Sequence, residues 1–283
     1  MNVIVAKSAG FCFGVKRAVE LVEAQSQTEE LPVYTFGPII HNEQVVLSLE
    51  KRGVHVIRKL SDLKNIREGT LVIRSHGVSR SEQQIMEASG LKIKDATCPF
   101  VKKIHRIAQE AGTQGKTLII AGDPSHPEVQ GIIGWASGRA EVVQNPEEAA
   151  ALHLAPEERI VLAAQTTFHA GKFEDIVEIF RKRGYDNFVM NTVCSATDER
   201  QTEAREISRM VDAMIVIGGR HSSNTRKLVE ICKENCGNTY FIETLNDLDL
   251  KPFRSFSCVG ITAGASTPNS IIEEVTKHVR TKL

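Results

Sequence analysis

Short apolar runs rich in Val, Ile and Leu recur along the chain, and longer stretches follow them in which apolar residues return every three or four positions. The first pattern is that of strands buried on both faces, the second that of amphipathic helices. Strand-type runs lie at 2–6, 33–36, 54–57, 71–74, 91–94, 117–121, 141–143, 160–164, 187–190, 213–217, 239–242 and 258–262. Helical periodicity predicts helices over about 15–25, 43–51, 80–89, 99–112 and 171–183, and one running to the C-terminus. Strand and helix in alternation imply βαβ crossovers and parallel sheets.

The order of elements repeats, and the repeat carries chemistry. Cys12 (AGFCFGVKRA), Cys98 (ATCPFVKKIH) and Cys194 (TVCSATDERQ) each stand between a strand-type run and a helix-type run, 86 and 96 residues apart. His41 follows Cys12 by 29 residues, His126 follows Cys98 by 28 and Ser222 follows Cys194 by 28. A later loop in each pass adds a second polar group: His76, the pair Thr166–Thr167, and Ser266. Loops at the carboxyl ends of parallel strands are where ligands bind in such sheets. The expected fold is therefore α/β: three pseudo-threefold-related αβα units with small parallel sheets, facing a shared axis. Their expected bounds are 13–97, 98–193 and 194–283. The third pass ends on a helix and lacks a last strand, while 2–6 has no unit of its own. Residues 1–12 are expected to complete the third unit.

Composition narrows the function. The chain has 283 residues, 41% apolar and 25% charged, with 35 basic and 35 acidic side chains. Zero formal charge argues against a general nucleic-acid or membrane-surface binder, which relies on excess positive charge. No apolar run approaches the ~18 residues of a membrane span. The start, MNVIVAKSAGFCFG, has no signal-peptide pattern. Six cysteines are too few for a disulfide scaffold at this length, so a reducing, cytoplasmic location is expected. There, conspicuous cysteines are more often metal ligands or catalytic groups.

Three thiolates in register suit a soft-metal centre, an iron–sulfur cluster first, with one position left open for chemistry. Pro99 after Cys98 fits, since a Cys-Pro step is common beside cluster ligands. The competing reading of each cysteine is an inert, buried thiol near a helix start. Cys232, Cys236 and Cys258 have no counterparts in the other passes and read as helix-end and core residues. His41, His76, His126, Ser222, Ser223, Asn224 and Ser266 lie where helices begin, and helix N-termini favour phosphate oxygens. Capping explains some of these Ser and Asn residues. The histidines are harder to assign that way, because His is not a preferred cap. Glu128, two residues after His126, is either a first-turn carboxylate favoured by the helix dipole or a proton-handling group in a closed site. Dinucleotide, P-loop and serine-hydrolase signatures are missing from the sequence.

In order and position, AGFCFGVKRA, GPIIHNEQVV, RSHGVS, ATCPFVKK, SHPEVQG, QTT, VCSATDERQ, HSSNT and TAGASTP resemble the 4-hydroxy-3-methylbut-2-enyl diphosphate reductase family of the non-mevalonate isoprenoid pathway. The resemblance runs from about residue 4 to about residue 275, with no departure at a functional position. It implies a trefoil of three αβα units around a central site. It also implies a 4Fe-4S cluster on Cys12, Cys98 and Cys194, with the fourth iron free of protein; loss of that iron would leave a 3Fe-4S form. His41, His76, His126, Ser222, Ser223, Asn224 and Ser266 would bind the substrate diphosphate. Thr166 would hydrogen-bond the substrate hydroxyl or a water, and Glu128 would donate the proton. The implied reaction reduces an allylic diphosphate with two electrons and two protons to isopentenyl and dimethylallyl diphosphates. The electrons would come from a reduced ferredoxin or flavodoxin type of partner, and the chain would act as a monomer without nucleic acid or membrane. Two alternatives stay open: a cluster-dependent dehydratase or lyase, and a non-enzymatic iron–sulfur sensor.

Overall fold

The computed structural model describes residues 1–28, 32–185 and 187–282. In chain order the first elements are β1 (Asn2–Val5), α1 (Phe13–Thr28), β2 (Val33–Phe36), α2 (Glu43–Glu50), β3 (Val54–Ile57), β4 (Thr70–Ile73), α3 (Arg80–Glu87) and β5 (Lys92–Asp95). Then follow α4 (Pro99–Thr113), β6 (Thr117–Ala121), α5 (Pro127–Trp135), β7 (Ala140–Val143), α6 (Pro146–Ala151), β8 (Ile160–Ala164), α7 (Ala170–Lys182) and β9 (Asn187–Val189). The chain ends with α8 (Ser195–Ser208), β10 (Ala213–Ile217), α9 (Ser223–Asn235), β11 (Thr239–Ile242), β12 (Cys258–Ala263) and α10 (Asn269–Lys282).

Every predicted strand is present, with its ends shifted by at most one residue. The strands form three four-stranded parallel sheets, ordered β3-β2-β4-β5, β7-β6-β8-β9 and β11-β10-β12-β1. The first strand runs parallel to the last, with Asn2 beside Cys258 and Val5 beside Ile261. In each sheet the chain passes from one inner strand to an edge and returns to the other inner strand. Loops leaving the carboxyl ends of the two inner strands therefore diverge and open a crevice between them.

Two compact units divide the chain. One comprises Met1–Lys16, His41–Val45 and Ser195–Leu283; the other comprises Arg17–Ile40 and Val46–Cys194. The β10–β12 sheet belongs to the first. Its central strands are fully buried and packed on both faces, by Val275 and Val279 of α10 on one side and Ala204, Ile207 and Leu228 on the other. The second unit holds the other two sheets. Phe173, Ile176 and Phe180 of α7 cover one face of the β6–β8 sheet, and Ile104, Ile107, Ala108 and Ile132 cover the other. Burial on both faces explains why TLIIA, IVLAA and AMIVI read as continuous apolar runs.

Local signals set the helix starts. Ser79 and Glu82 form a capping box at α3, with Glu82 N–H on Ser79 Oγ (3.2 Å) and Ser79 N–H on Glu82 Oε2 (2.8 Å). Proline opens α4, α5 and α6, where its missing N–H costs nothing. The last of these, six residues of PEEAAA started by Asn145, is too short to show a period, and the hydrophobic pattern does not reveal it.

Phe180 is fully buried under the β6–β8 sheet. Phe180→Ala should destabilise the chain by about 3–5 kcal/mol, the usual result of a large aromatic cavity. Urea denaturation checks this; a loss under about 1 kcal/mol would show that the site collapses around the gap.

Candidate active site

Each of the three repeated cysteines stands immediately before a helix: Cys12 before α1, Cys98 before α4 and Cys194 before α8. Each donates its backbone N–H to a carbonyl in the loop leaving an inner strand. Cys98 N–H reaches Ser75 O after β4 (2.9 Å), Cys194 N–H reaches Thr166 O after β8 (3.0 Å), and Cys12 N–H reaches Ala265 O after β12 (3.2 Å). The carbonyls of Cys12 and Cys98 accept the first helical bonds, from Lys16 N–H (2.9 Å) and Lys102 N–H (3.0 Å). Two arginines brace the approaching loops. Arg17 donates to the carbonyls of Asp95, Ala96 and Thr97 just ahead of Cys98 (3.2, 3.3 and 3.2 Å). Arg200, buried on α8, donates to Ser8 O (2.9 Å) and Gly10 O (3.0 Å) just ahead of Cys12. All three are half-buried and outside any disulfide. A thiol at the positive end of a helix is a donor suited to an anionic, thiolate-bound centre such as an iron–sulfur cluster.

The larger unit gathers Glu128, Thr166, His126 and His76. Glu128, only 2% exposed, accepts Thr166 N–H at Oε1 (2.7 Å) and the Thr166 hydroxyl at Oε2 (2.8 Å). Burial pushes its carboxyl up from 4.5 to about 7, against the pull of the two Thr166 bonds. Thr166 therefore links Glu128 to Cys194, its side chain and N–H on one and its carbonyl on the other. His126 starts α5, and its Nδ1 accepts Glu128 N–H (3.1 Å). His126 thus caps α5 although His is not a preferred cap: the imidazole nitrogen accepts as a hydroxyl oxygen would. With Nδ1 accepting, a neutral His126 carries its proton on Nε2, as a donor. The His76 ring stands edge-on to His126, centroids 5.5 Å apart. His76 is followed by Gly77, at φ +75°, where an added Cβ would meet His105 Cε1 at 2.7 Å.

The smaller unit gathers His41, Ser222, Ser223, Asn224 and Ser266. The Ser266 hydroxyl donates to His41 O (3.1 Å). Ser222 caps α9, accepting Thr225 N–H at Oγ (3.3 Å). Ser223 and Asn224 follow it, both buried in the first turn. Asn224 Oδ1 accepts Ala265 N–H (3.0 Å), and its buried Nδ2 has no acceptor among the described residues. A buried amide donor left over at a helix start, beside serine hydroxyls, is what an anion would satisfy. Gly264 is required here for space, since an added Cβ would lie 2.0 Å from Thr225 Oγ1.

Cys232 and Cys236 pack in the core behind β10, and burial pushes the Cys232 thiol up to about 12, where it is inert. Sequence reasoning missed Arg17 and Arg200, whose partners are backbone carbonyls, though both lie inside quoted motifs.

A family model described as LytB protein matches residues 3–280. A curated relative from Caldanaerobacter subterraneus subsp. tengcongensis is 43% identical over 281 residues, covering 99% of this chain and 97% of its own length. One from Geobacter sulfurreducens is 44% identical over 280 residues, with 99% and 97% covered. Both bear the name 4-hydroxy-3-methylbut-2-enyl diphosphate reductase. A solved structure described as (E)-4-hydroxy-3-methyl-but-2-enyl diphosphate reductase, the terminal enzyme of the non-mevalonate pathway, superposes with a TM-score of 0.71 at 40% identity and covers 99% of this chain and 100% of that one. The reductase from Plasmodium falciparum superposes with a TM-score of 0.91 at 29% identity, covering 98% and 87%. Fold and relatives together define an α/β oxidoreductase. The chain belongs to the LytB protein family.

Among the described residues no helix is long and apolar enough to cross a membrane.

A carboxyl held at about 7 when folded and near 4.5 when unfolded binds its proton more tightly in the fold. Its contribution to stability is complete below about 4.5 and is lost as pH rises through about 7. That gap corresponds to something on the order of 3 kcal/mol. Wild type should therefore lose stability relative to Glu128→Gln across this window, by urea denaturation at stepped pH. Parallel curves for the two proteins would show that Glu128 titrates normally.

Proposed function

We propose that this chain reduces 4-hydroxy-3-methylbut-2-enyl diphosphate to isopentenyl diphosphate and dimethylallyl diphosphate, with two electrons and two protons. The allylic C–O bond breaks, a C–H bond forms at one of the two allylic carbons, and the oxygen leaves as water. The observation that carries the reading is Glu128, a fully enclosed carboxyl held near 7 and hydrogen-bonded to the residue whose carbonyl binds the Cys194 N–H. Such a group keeps its proton at neutral pH and delivers it where a hydroxide must leave.

Cys12, Cys98 and Cys194 would hold a 4Fe-4S cluster with one iron free of protein; of the three units, 98–193 would give Cys98, 194–283 with 1–12 would give Cys194 and Cys12, and 13–97 would give the loop whose Ser75 carbonyl holds the Cys98 N–H. When bound, the cluster supplies single electrons and a Lewis-acidic iron, and without its free iron it is a 3Fe-4S form. The other steps fall to the chain. His41, His76, His126, Ser222, Ser223, Asn224 and Ser266 grip the diphosphate through side-chain donors and helix starts. That grip sets the allylic carbons in one orientation. Thr166 orients Glu128 and offers its hydroxyl to the substrate oxygen. Glu128 protonates that oxygen. The electrons come from a reduced ferredoxin or flavodoxin type of carrier, and the chain works as a cytoplasmic monomer.

Anaerobic turnover by the cluster-reconstituted chain tests this. Both C5 diphosphates should form only when a reductant is present; products formed without one would establish a lyase instead. Glu128→Gln should lower turnover by about 10²–10⁴-fold. Wild-type turnover should decline above about pH 7, as Glu128 loses its proton. Cys98→Ser should lose most of the cluster's visible absorbance; full cluster content in that variant would remove Cys98 from the ligand set.

A further inference from the structure

The start of α4 carries charges that a helix start disfavours. Its first turn has no acidic residue, and Lys102 and Lys103 follow in the next turn, with Arg106 one turn later. Cations near the positive end of a helix dipole are disfavoured, most of all in its first turn. All three are exposed, as are Pro99 and Phe100. Phe100 is 44% exposed, a large apolar ring in water two residues from Cys98. Lys102 is partly neutralised by Asp95 (2.5 Å). Among the described residues Lys103 and Arg106 have no ion pair or side-chain hydrogen bond. Arg17 holds the same place on α1 as Lys103 on α4, yet it is spent on the 95–97 carbonyls. Lys103 has no such structural task. A cleft of about 400 Å³ borders this face, walled by Trp135 and His105 and rimmed by Lys102, Arg106 and Gln109. His105, stacked on Trp135 and pushed down to about 4 by burial, adds no charge there at neutral pH.

Resting on the reductase reading above, we propose that the exposed face of α4, which presents Phe100, Lys103 and Arg106, is the docking surface for the electron carrier, an acidic one-electron redox protein. The electrons must enter at a centre held in part by Cys98, and this is surface that begins at Cys98 itself. An exposed apolar ring near two cations of the same helix that have no ion pair among the described residues suits a small, transient interface whose charges set encounter rate and orientation. The complementary partner is acidic. Glu110, in the fourth turn, marks where the basic face ends.

The test uses the cluster-loaded chain and the Lys103→Glu/Arg106→Glu double variant, with an acidic 4Fe-4S ferredoxin as probe. Binding of oxidised ferredoxin is titrated at low and high salt. Turnover is measured separately with dithionite, a small reductant that needs no docking face. Ferredoxin affinity should fall by about tenfold or more in the variant, and salt should weaken wild-type binding far more than variant binding. Dithionite-driven turnover should stay within about twofold of wild type. Equal ferredoxin affinity in the two proteins overturns the proposal. A matching loss of dithionite-driven turnover overturns it too, because the cations would then serve the cluster. Absence of dithionite-driven turnover in wild type defeats the reductase reading alone, since ferredoxin binding still reports on the surface.

Discussion

One hydrogen bond, made three times, sets the positions of the reactive side chains. The N–H of each repeated cysteine is held by a carbonyl in the loop after an inner strand: Ser75, Thr166 or Ala265. In a parallel sheet that loop lies at the crevice where inner strands part, so the bond carries each thiol to the ligand-binding end of its own sheet. It also aligns the following helix, whose free N–H groups then face the same end. The first residues of α1, α4 and α8 are thereby fixed by sheet geometry, and little is left to side-chain preference. Arg17 and Arg200 brace the backbone just before two of these cysteines, which limits the freedom of the loop and the orientations open to the thiol.

The Glu128 carboxyl shows how the same framework sets chemistry. Two donors from Thr166 favour the carboxylate, and full burial disfavours it more strongly; the balance lies near 7. Removing either influence would spoil the group: more donors would leave it ionised, more burial without donors would leave it unable to release its proton. Thr166 supplies both bonds through its two donors, N–H and hydroxyl, while its carbonyl accepts the Cys194 N–H. The loop at Thr166 thus orients the Glu128 carboxyl and holds its proton affinity down, while burial raises it.

Much of this was legible in the sequence. The inner strands are buried on both faces and announce themselves as apolar runs, and the loops fall out as the segments between them. The pairing of 2–6 with the final strand follows from counting which elements lack a neighbour, and β1 does lie beside β12. The hidden parts share a cause. Ser75, Thr166 and Ala265 do one job through a backbone oxygen, so their side chains are unconstrained by it and show no common type. Arg17 and Arg200 bond to carbonyls, which every residue possesses, so no complementary residue marks their targets. His126 and Ser222 both start helices although one is an imidazole and the other a hydroxyl, because a cap requires only an acceptor at the right height. The weighing of capping against ligand binding was therefore a false choice for His126: accepting the Glu128 N–H at Nδ1 turns a donor outward at Nε2.

Charge follows from the same constraint. The chain is neutral overall, yet the ligands proposed for it, a thiolate-bound cluster and a diphosphate, are anionic. Three helix starts supply partial positive charge without any side chain, and donors such as Asn224 Nδ2 supply more. Backbone dipoles are already oriented by the fold, so they need no reorganisation when an anion arrives, whereas lysine side chains would have to be ordered at an entropic cost. A site built this way does not need a cationic protein, which is why net charge alone says so little about it. It also means that cations placed at a helix start are not needed to create the anion site. On α8 the fourth and fifth helical residues are Asp198 and Glu199, and that helix still begins at a proposed ligand cysteine. Of the basic residues at the same places on α4, Lys102 is paired with Asp95, so it is the exposed Lys103 that calls for a separate explanation, on the surface an approaching partner would meet.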